Sequence, residues 1–464
     1  MLFTTPEFCL FLAAVLALFY ALPEPARKYL LLAASLYFYI AWIPRYVVIL
    51  LLLITIDYLA ALWIESRQGP PRRAALVVSL CANLGLLGYF KYANFARETF
   101  LSLFHPAAHF EPLAIILPLG ISFHTFQSMS YVIDVYRKKQ PAIRNYIDYA
   151  LFVSFFPQLV AGPIVRAEEF FADYFHWRPP TAAEWQQGVS MMLTGYIKKL
   201  VFADQFSLVS DRYFANPAAL PGLFPAWTAS LAFGLQIFFD FSGYTDIAIG
   251  SALLLGIRLP ANFNVPYRAV NLADFWRRWH ISFSNWLRDY LYFSLPGKRT
   301  SWMPYFGLII TMALGGIWHG AGWTFLIWGL LHGVGLATYR FWQSQRRGAP
   351  PPGRAGKFAG GVLTFHFVLL GWIFFRAASL TAALSILRQI GSLRYTFENT
   401  TPVFLCVLIF AAAAHFVPAS WFNGSVIRFA RTPALVQAAA LALLALAIRY
   451  ISATDAAPFI YSKF

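Results

Sequence analysis

Long apolar runs separated by short polar loops set the pattern of this chain. They fall at 8–22, 29–43, 47–64, 74–90, 113–133 and 147–165, and then at 186–209, 225–256, 304–318, 321–339, 358–375, 402–417 and 434–452. A simple crossing takes about 20 apolar residues, so the runs predict an all-α polytopic membrane protein of about 11–13 membrane segments, the shorter or more polar ones re-entrant or interfacial. The opening run lacks a basic n-region and a small-residue cleavage site and reads as a retained first span. No repeat of fixed period is visible, and no loop is long enough for a separate soluble catalytic domain. The expectation is a single membrane domain over 1–464, with its chemistry in or at the edge of the bilayer.

Composition agrees with this division. The chain is 59% hydrophobic and 12% charged, against about 25% charged residues in a soluble domain. A formal net charge of +16 raises the question of nucleic acid, but the cations sit in short loops, where they orient a membrane protein; no nucleic-acid partner is expected. Arg67, Arg72 and Arg73 form one cluster, and Arg137, Lys138, Lys139 and Arg144 another. Both belong on the cytoplasmic side, as does the proline-rich connection with Arg346, Arg347, Arg354 and Lys357, and the N-terminus then lies outside. Cys9, Cys81 and Cys406 are dispersed in apolar runs and read as packing residues.

Ionisable groups inside apolar spans are expensive and mark candidate function. On a helix Gln236, Asp240 and Gly243 share a face, with Asp246 one turn beyond Ser242; these groups either bind neighbouring helices together or line a cavity. The stretch 272–295 is too charged to cross lipid. Its aromatics at 275, 276, 279, 283, 286, 290 and 293 recur at helical spacing, which predicts an amphipathic interfacial helix with Trp276, Trp279 and Trp286 at headgroup depth. His280 lies within it, one turn from Trp276, Arg277 and Ser284. Farther on, Gly315-Gly316-Ile-Trp318-His319-Gly320-Ala-Gly322-Trp323 sets a histidine in a run of small residues that permits close approach of backbone or substrate. A buried imidazole there can take a proton from a hydroxyl as its oxygen attacks a carbonyl, or it can simply donate one hydrogen bond between helices. His332, His124, His366 and His415 read as structural. No histidine or carboxylate spacing suggests a metal site, and the nucleophile elbow, phosphate loop and dinucleotide fingerprint are absent.

Several ordered motifs carry a resemblance. They are Leu117-Pro-Leu-Gly-Ile-Ser-Phe-His124, Phe155-Phe-Pro157-Gln158, Phe239-Asp240-Phe-Ser242-Gly243-Tyr244-Thr245-Asp246, Asn262-Phe-Asn264, Phe275-Trp-Arg-Arg-Trp-His280 through Tyr290, Gly316-Ile-Trp318-His319-Gly320, and the closing Pro458 to Phe464. Together they resemble the membrane-bound O-acyltransferases, in particular the bacterial branch with the alginate O-acetylation membrane protein and the teichoic-acid D-alanylation membrane protein. The resemblance implies a multi-pass protein of the bacterial inner membrane, with helices around a central channel. It implies His319 as the catalytic histidine, acting as general base or as acyl relay, and His280 as its second motif histidine. Asp240, Trp276, Arg277, Arg278, Ser284, Arg288 and Trp318 are the accompanying candidates for substrate binding, the arginines either steering carrier phosphates or meeting lipid headgroups.

It further implies an acyl thioester donor from the cytoplasm, acetyl-CoA rather than a tightly bound cofactor. The acceptor side would be an exported glycan such as alginate, cellulose or peptidoglycan, reached through a separate periplasmic O-acetyltransferase. D-alanyl transfer is the alternative within the class. A glycan or lipid-precursor transporter coupled through Asp240 and Asp246 is the alternative outside it, although no paired broken helices in matching halves are seen.

Overall fold

The computed structural model describes most of residues 1–417, leaving out 106–108, 119, 161, 296–301, 347, 349, 393 and 395; beyond 417 it describes scattered positions, Phe459 and Ile460 among them. Most of the apolar run expected at 434–452 and most of the closing 458–464 motif lie outside the described residues, as does Arg347. Every regular element among the described residues is helical.

Contacts divide the chain into two compact units, one of residues 1–189 with 247–260, the other of 190–246 with 261–464. The first unit begins with α1 (Pro6–Ala21), α2 (Glu24–Ile40), α3 (Val47–Ser66), α4 (Pro70–Leu87) and α5 (Ala93–Phe104). Proline in the first turn of α1, α2 and α4 suits positions whose N–H has no helical partner. A π-helical turn over Gly88–Tyr92 joins α4 to α5 without a break. After a non-helical stretch come α6 (Ile121–Tyr136) and the short α7 (Tyr146–Ser154), α8 (Phe156–Leu159) and α9 (Ala167–Phe175). The apolar run 147–165 is thus two short helices and a loop rather than one span, because Pro157 starts a new first turn where α7 ends.

An exposed ionic clamp ties down the loops of this unit. Arg258 reaches both Asp173 (2.8 Å) and Glu184 (2.6 Å), and Arg178 grips Glu184 with two guanidinium nitrogens. That grip, with the Thr181 N–H and Arg258, holds the Glu184 carboxyl well below the usual carboxylate range.

The second unit takes in the part of α10 (Ala182–Tyr196) from Ser190 on, then α11 (Asp204–Ala215) and the greater part of α12 (Leu223–Leu254). The length of the 225–256 run leaves room for two crossings or a re-entrant turn, but α12 is one unbroken helix, buried over 94% of its most apolar window. It then continues through α13 (Leu272–Arg278), α14 (Ile281–Trp286), α15 (Met303–His319), α16 (Trp323–Gln345), α17 (Arg354–Arg376), α18 (Leu380–Gly391) and α19 (Pro402–Phe416).

Among the described residues, four helical stretches are long and apolar enough to cross a membrane, namely Pro44–Ser66, Pro70–Phe104, Leu223–Leu254 and Arg354–Arg376; α1, α15 and α19 are shorter apolar helices. The protein is multi-pass and membrane-bound.

Glycine sets the closest helix pair. A Cβ at Gly316 would strike the Phe325 carbonyl, one at Gly329 the Met312 carbonyl, and one at Gly333 would lie 2.8 Å from the Ile309 Cα. α15 and α16 therefore touch backbone to backbone, as small-residue interfaces in membranes do. This contact carries His319, the last residue of α15, into the interior.

Candidate active site

The stretch expected as a single amphipathic helix is broken in two. α13 ends at Arg278, and His280 adopts a left-handed conformation (φ 42°, ψ 57°) before α14 begins. For a side chain larger than glycine this backbone is strained and persists only where its surroundings enforce it. The enforcing group is Asn262. Its Oδ1 accepts from the Ser282 N–H (3.2 Å) and the Ser282 hydroxyl (2.9 Å), and lies 3.1 Å from His280 Nδ1. A backbone N–H can only donate, which orients the amide, so the neutral His280 ring presents Nδ1–H to that oxygen and keeps its lone pair on Nε2.

His319 sits across a shared aromatic cage. The two imidazole centroids are 6.4 Å apart. Phe283 stacks on His280 at 4.9 Å and lies 5.1 Å from His319. Trp318 in turn stacks on Phe283 at 4.5 Å. Phe241 meets His280 edge-on (4.7 Å), and Trp328 and Phe375 meet His319 edge-on (5.1 and 5.3 Å). Both histidines are buried. Beyond His319 the chain leaves the helix at Gly320, where a Cβ would run into the Phe325 ring, so only glycine lets that ring close over the helix end.

His332, expected as structural, belongs to the same aromatic cluster. The Trp276 indole N–H donates to its Nδ1 (3.3 Å), and its ring lies 4.8 Å from Trp328. In its neutral form its proton is therefore on Nε2, the opposite tautomer to His280.

A cavity of about 540 Å³ lies alongside. Trp276, Ser284, Thr311, Arg288 and Arg340 are among its lining, over an otherwise apolar wall that includes Leu287, Leu308 and Met312; neither His280 nor His319 is among the described residues that line it. Arg340 donates to the Tyr292 hydroxyl (3.3 Å). Arg288 turns toward its neighbour Asp289 at 2.7 Å with its side chain half exposed. Arg277 and Arg278 lie apart from this lining, both directed to Asp274, at 3.5 and 3.0 Å. The expected headgroup-level indoles are instead interior: Trp276, Trp279 and Trp286 are all buried, Trp276 against Trp328 of α16, Trp279 against Phe238 of α12 and Trp372 of α17, and Trp286 against Tyr290.

Asp240 sits in a buried ionic group. Lys199 Nζ bridges Asp240 (2.6 Å) and Asp204 (2.8 Å), and the Ile460 N–H donates to the other Asp240 oxygen (2.7 Å). Asp246 pairs with Lys198 at 2.6 Å. Of the two readings of this run, interhelical binding describes these contacts; Gly243 permits the approach, since its Cβ would fall 2.8 Å from the Gly195 carbonyl.

Three residues of consequence were not singled out from sequence. Asn262 stands inside a quoted motif but had no role, and Arg340 sits in an ordinary helical run. Asp57, buried in α3 and bound by Ser79 (2.6 Å) and Asn83 (2.9 Å) of α4, is a carboxylate in mid-span; the rule applied to Asp240 would have found it.

Residues 137–381 match the profile of the membrane-bound O-acyltransferase family. The chain is 42% identical over 384 residues to a probable alginate O-acetylase of Azotobacter vinelandii, a match covering 81% of this chain and 74% of that protein. The chain belongs to the membrane-bound O-acyltransferase family. As a member of that family, this multi-pass protein is an O-acyltransferase. It is also 39% identical over 430 residues to a peptidoglycan O-acetyltransferase of Helicobacter pylori, covering 84% of this chain and 79% of that one. A teichoic acid D-alanyltransferase of Bacillus subtilis is 31% identical over 297 residues, covering 59% and 72% respectively.

Proposed function

We propose that this enzyme, in the bacterial inner membrane, moves an acetyl group from a cytoplasmic thioester, acetyl-CoA, toward the outside for O-acetylation of an exported envelope glycan, with His319 as its catalytic residue. The observation that carries this reading is the pairing of two buried histidines in one aromatic cage, at the end of a helix held by backbone contact. The similarity to an alginate O-acetylase and a peptidoglycan O-acetyltransferase supports the glycan class. The similarity to a D-alanyltransferase is lower and covers less of the chain, so D-alanyl transfer is the second reading; dependence on an acyl carrier protein rather than coenzyme A distinguishes it.

In the reaction, a His319 ring nitrogen takes the proton of the acceptor hydroxyl as that oxygen bonds to the thioester carbonyl carbon. The carbon–sulfur bond then breaks, and the leaving thiolate takes up the proton from the imidazolium. General-base assistance of this kind contributes about 10²–10⁴ in rate. In this reading Trp318 and the backbone around Gly320 steady the oxyanion. His280, its Nδ1–H held by Asn262, stands beside His319 as the second histidine of the cage. In this reading the cavity beside the cage takes the thioester arm: Arg288 and Arg340 offer guanidinium groups to carrier phosphates, and Trp276, Ser284 and the apolar wall complete the lining. A periplasmic O-acetyltransferase receives the acetyl group and delivers it to the polymer.

The test is glycan-bound acetyl released by mild base from cells producing wild-type protein, His319→Ala or His280→Ala. Loss of the ester by at least a hundredfold is expected for His319→Ala with the protein present in the membrane at wild-type level. Unchanged acetyl in that strain would overturn the mechanism.

A further inference from the structure

On the opposite side of α16 from its contact with α15, the helix forms an apolar groove with α17, of about 830 Å³. Its floor is unusual. Gly360 admits the Val270 carbonyl, and Gly335 admits Leu272, whose Cδ2 would lie 2.7 Å from an added Cβ, so the segment before α13 runs directly beneath the two helices. The walls are aliphatic and outward-facing, with Val334 49% and Leu363 73% exposed. From Ile327 to Trp342 the groove follows α16 for about 22 Å at 1.5 Å per residue. One leaflet of a bilayer core is about 15 Å deep.

Asn271, Thr338 and Thr364 are the polar side chains along most of the groove, and one end carries its cation and amphipathic rings. There the lining includes Lys357 in the first turn of α17 and the amphipathic rings of Tyr339 and Trp342, the latter with Arg346 stacked on it at 4.9 Å. Arg354 stands exposed one turn before Lys357. Among the described residues lining the groove there is no Asp or Glu. A leaflet-length apolar trough closed at one end by indole, phenol and cations has the chemical order of a phospholipid with a net negative headgroup: acyl chain, glycerol level, phosphate.

We infer that this groove is a binding site for an anionic diacyl phospholipid. One acyl chain lies between α16 and α17, and the phosphate faces Lys357 and Arg354. Because Val270 and Leu272 form the floor, the lipid braces the segment that leads into α13.

The inference is tested on the purified full-length protein by native mass spectrometry during titration with phosphatidylglycerol or with phosphatidylcholine of the same chains. The wild type should retain one phosphatidylglycerol with an affinity on the order of tenfold above phosphatidylcholine, from about two basic contacts. The double variant Arg354→Glu/Lys357→Glu should lose that preference while still binding either lipid weakly. Val334→Trp, which fills the trough and leaves the cations in place, should lose retention of both. Equal affinity of the wild type for the two lipids, undiminished retention in the Trp variant, or a change in subunit number in place of lipid loss would each overturn the inference. Matching elution profiles and melting curves exclude unfolding as the cause of loss.

Discussion

Three donors converge on the Asn262 oxygen, and that convergence decides what His280 can do. Removing it in Asn262→Ala strands a buried backbone N–H at Ser282 and the Nδ1–H of His280. Each stranded group costs about 1–3 kcal/mol, so a melting point lowered by several degrees is expected in detergent. A structural role alone would stop there. If Asn262 also selects the tautomer, ¹⁵N spectra of ring-labelled protein should show the His280 signal pass from one tautomer to a mixture, while His332, held by Trp276, stays unchanged. The histidines themselves were legible in sequence because each interrupts an aromatic or glycine-rich run. Asn262 was not, since its partners lie 18 and 20 positions away and join it only through the break at His280. Arg277 and Arg278 show the converse: their charge was plain, yet Asp274, in the same helix, claims both.

At the scale of elements, the α15–α16 contact positions the site. Gly329→Leu would set a branched side chain against the Met312 carbonyl and the Ala313 Cα. Overpacking of a tight interface costs about 1–3 kcal/mol and more where backbone must move. The expected result is a lower midpoint in thermal size-exclusion runs and reduced acetyl transfer together, whereas Gly391→Leu, at a helix end with open space around it, should change neither. Hydropathy located the elements well where a run was a single helix, as in α3 and α17. It missed a boundary where aromatic spacing continued through a bend, as at Trp279–His280, and for α12 it placed both ends within two residues while leaving open a turn that the helix does not make. Periodicity records which faces are apolar; it does not record a single residue with positive φ.

At the scale of the molecule, long-range charge pairing joins distant parts of the chain. Lys199 and Asp204 share one stretch, while Asp240 comes from α12 and the Ile460 backbone from 220 positions farther on, and the lysine and both carboxylates are nearly inaccessible. Breaking one member of such a group leaves an uncompensated buried charge, a loss of about 3–5 kcal/mol. Lys199→Met should therefore abolish folded yield in membranes, and Lys199→Met combined with Asp204→Asn and Asp240→Asn should recover much of it, as measured by detergent-extractable monodisperse protein. Failure of the triple variant to recover would mean that the charges do more than compensate one another. The same group has a consequence for biosynthesis. Residue 460 is separated from Asp240 by 220 positions, so at 5–20 residues per second it emerges about 10–40 s later. A nascent chain thus spends much of its synthesis with that carboxylate short of its backbone donor, and a product cut short by a premature stop never acquires it. Membrane proteases that sense incompletely packed helices have, in this late hydrogen bond, a chemical difference between a finished chain and a truncated one.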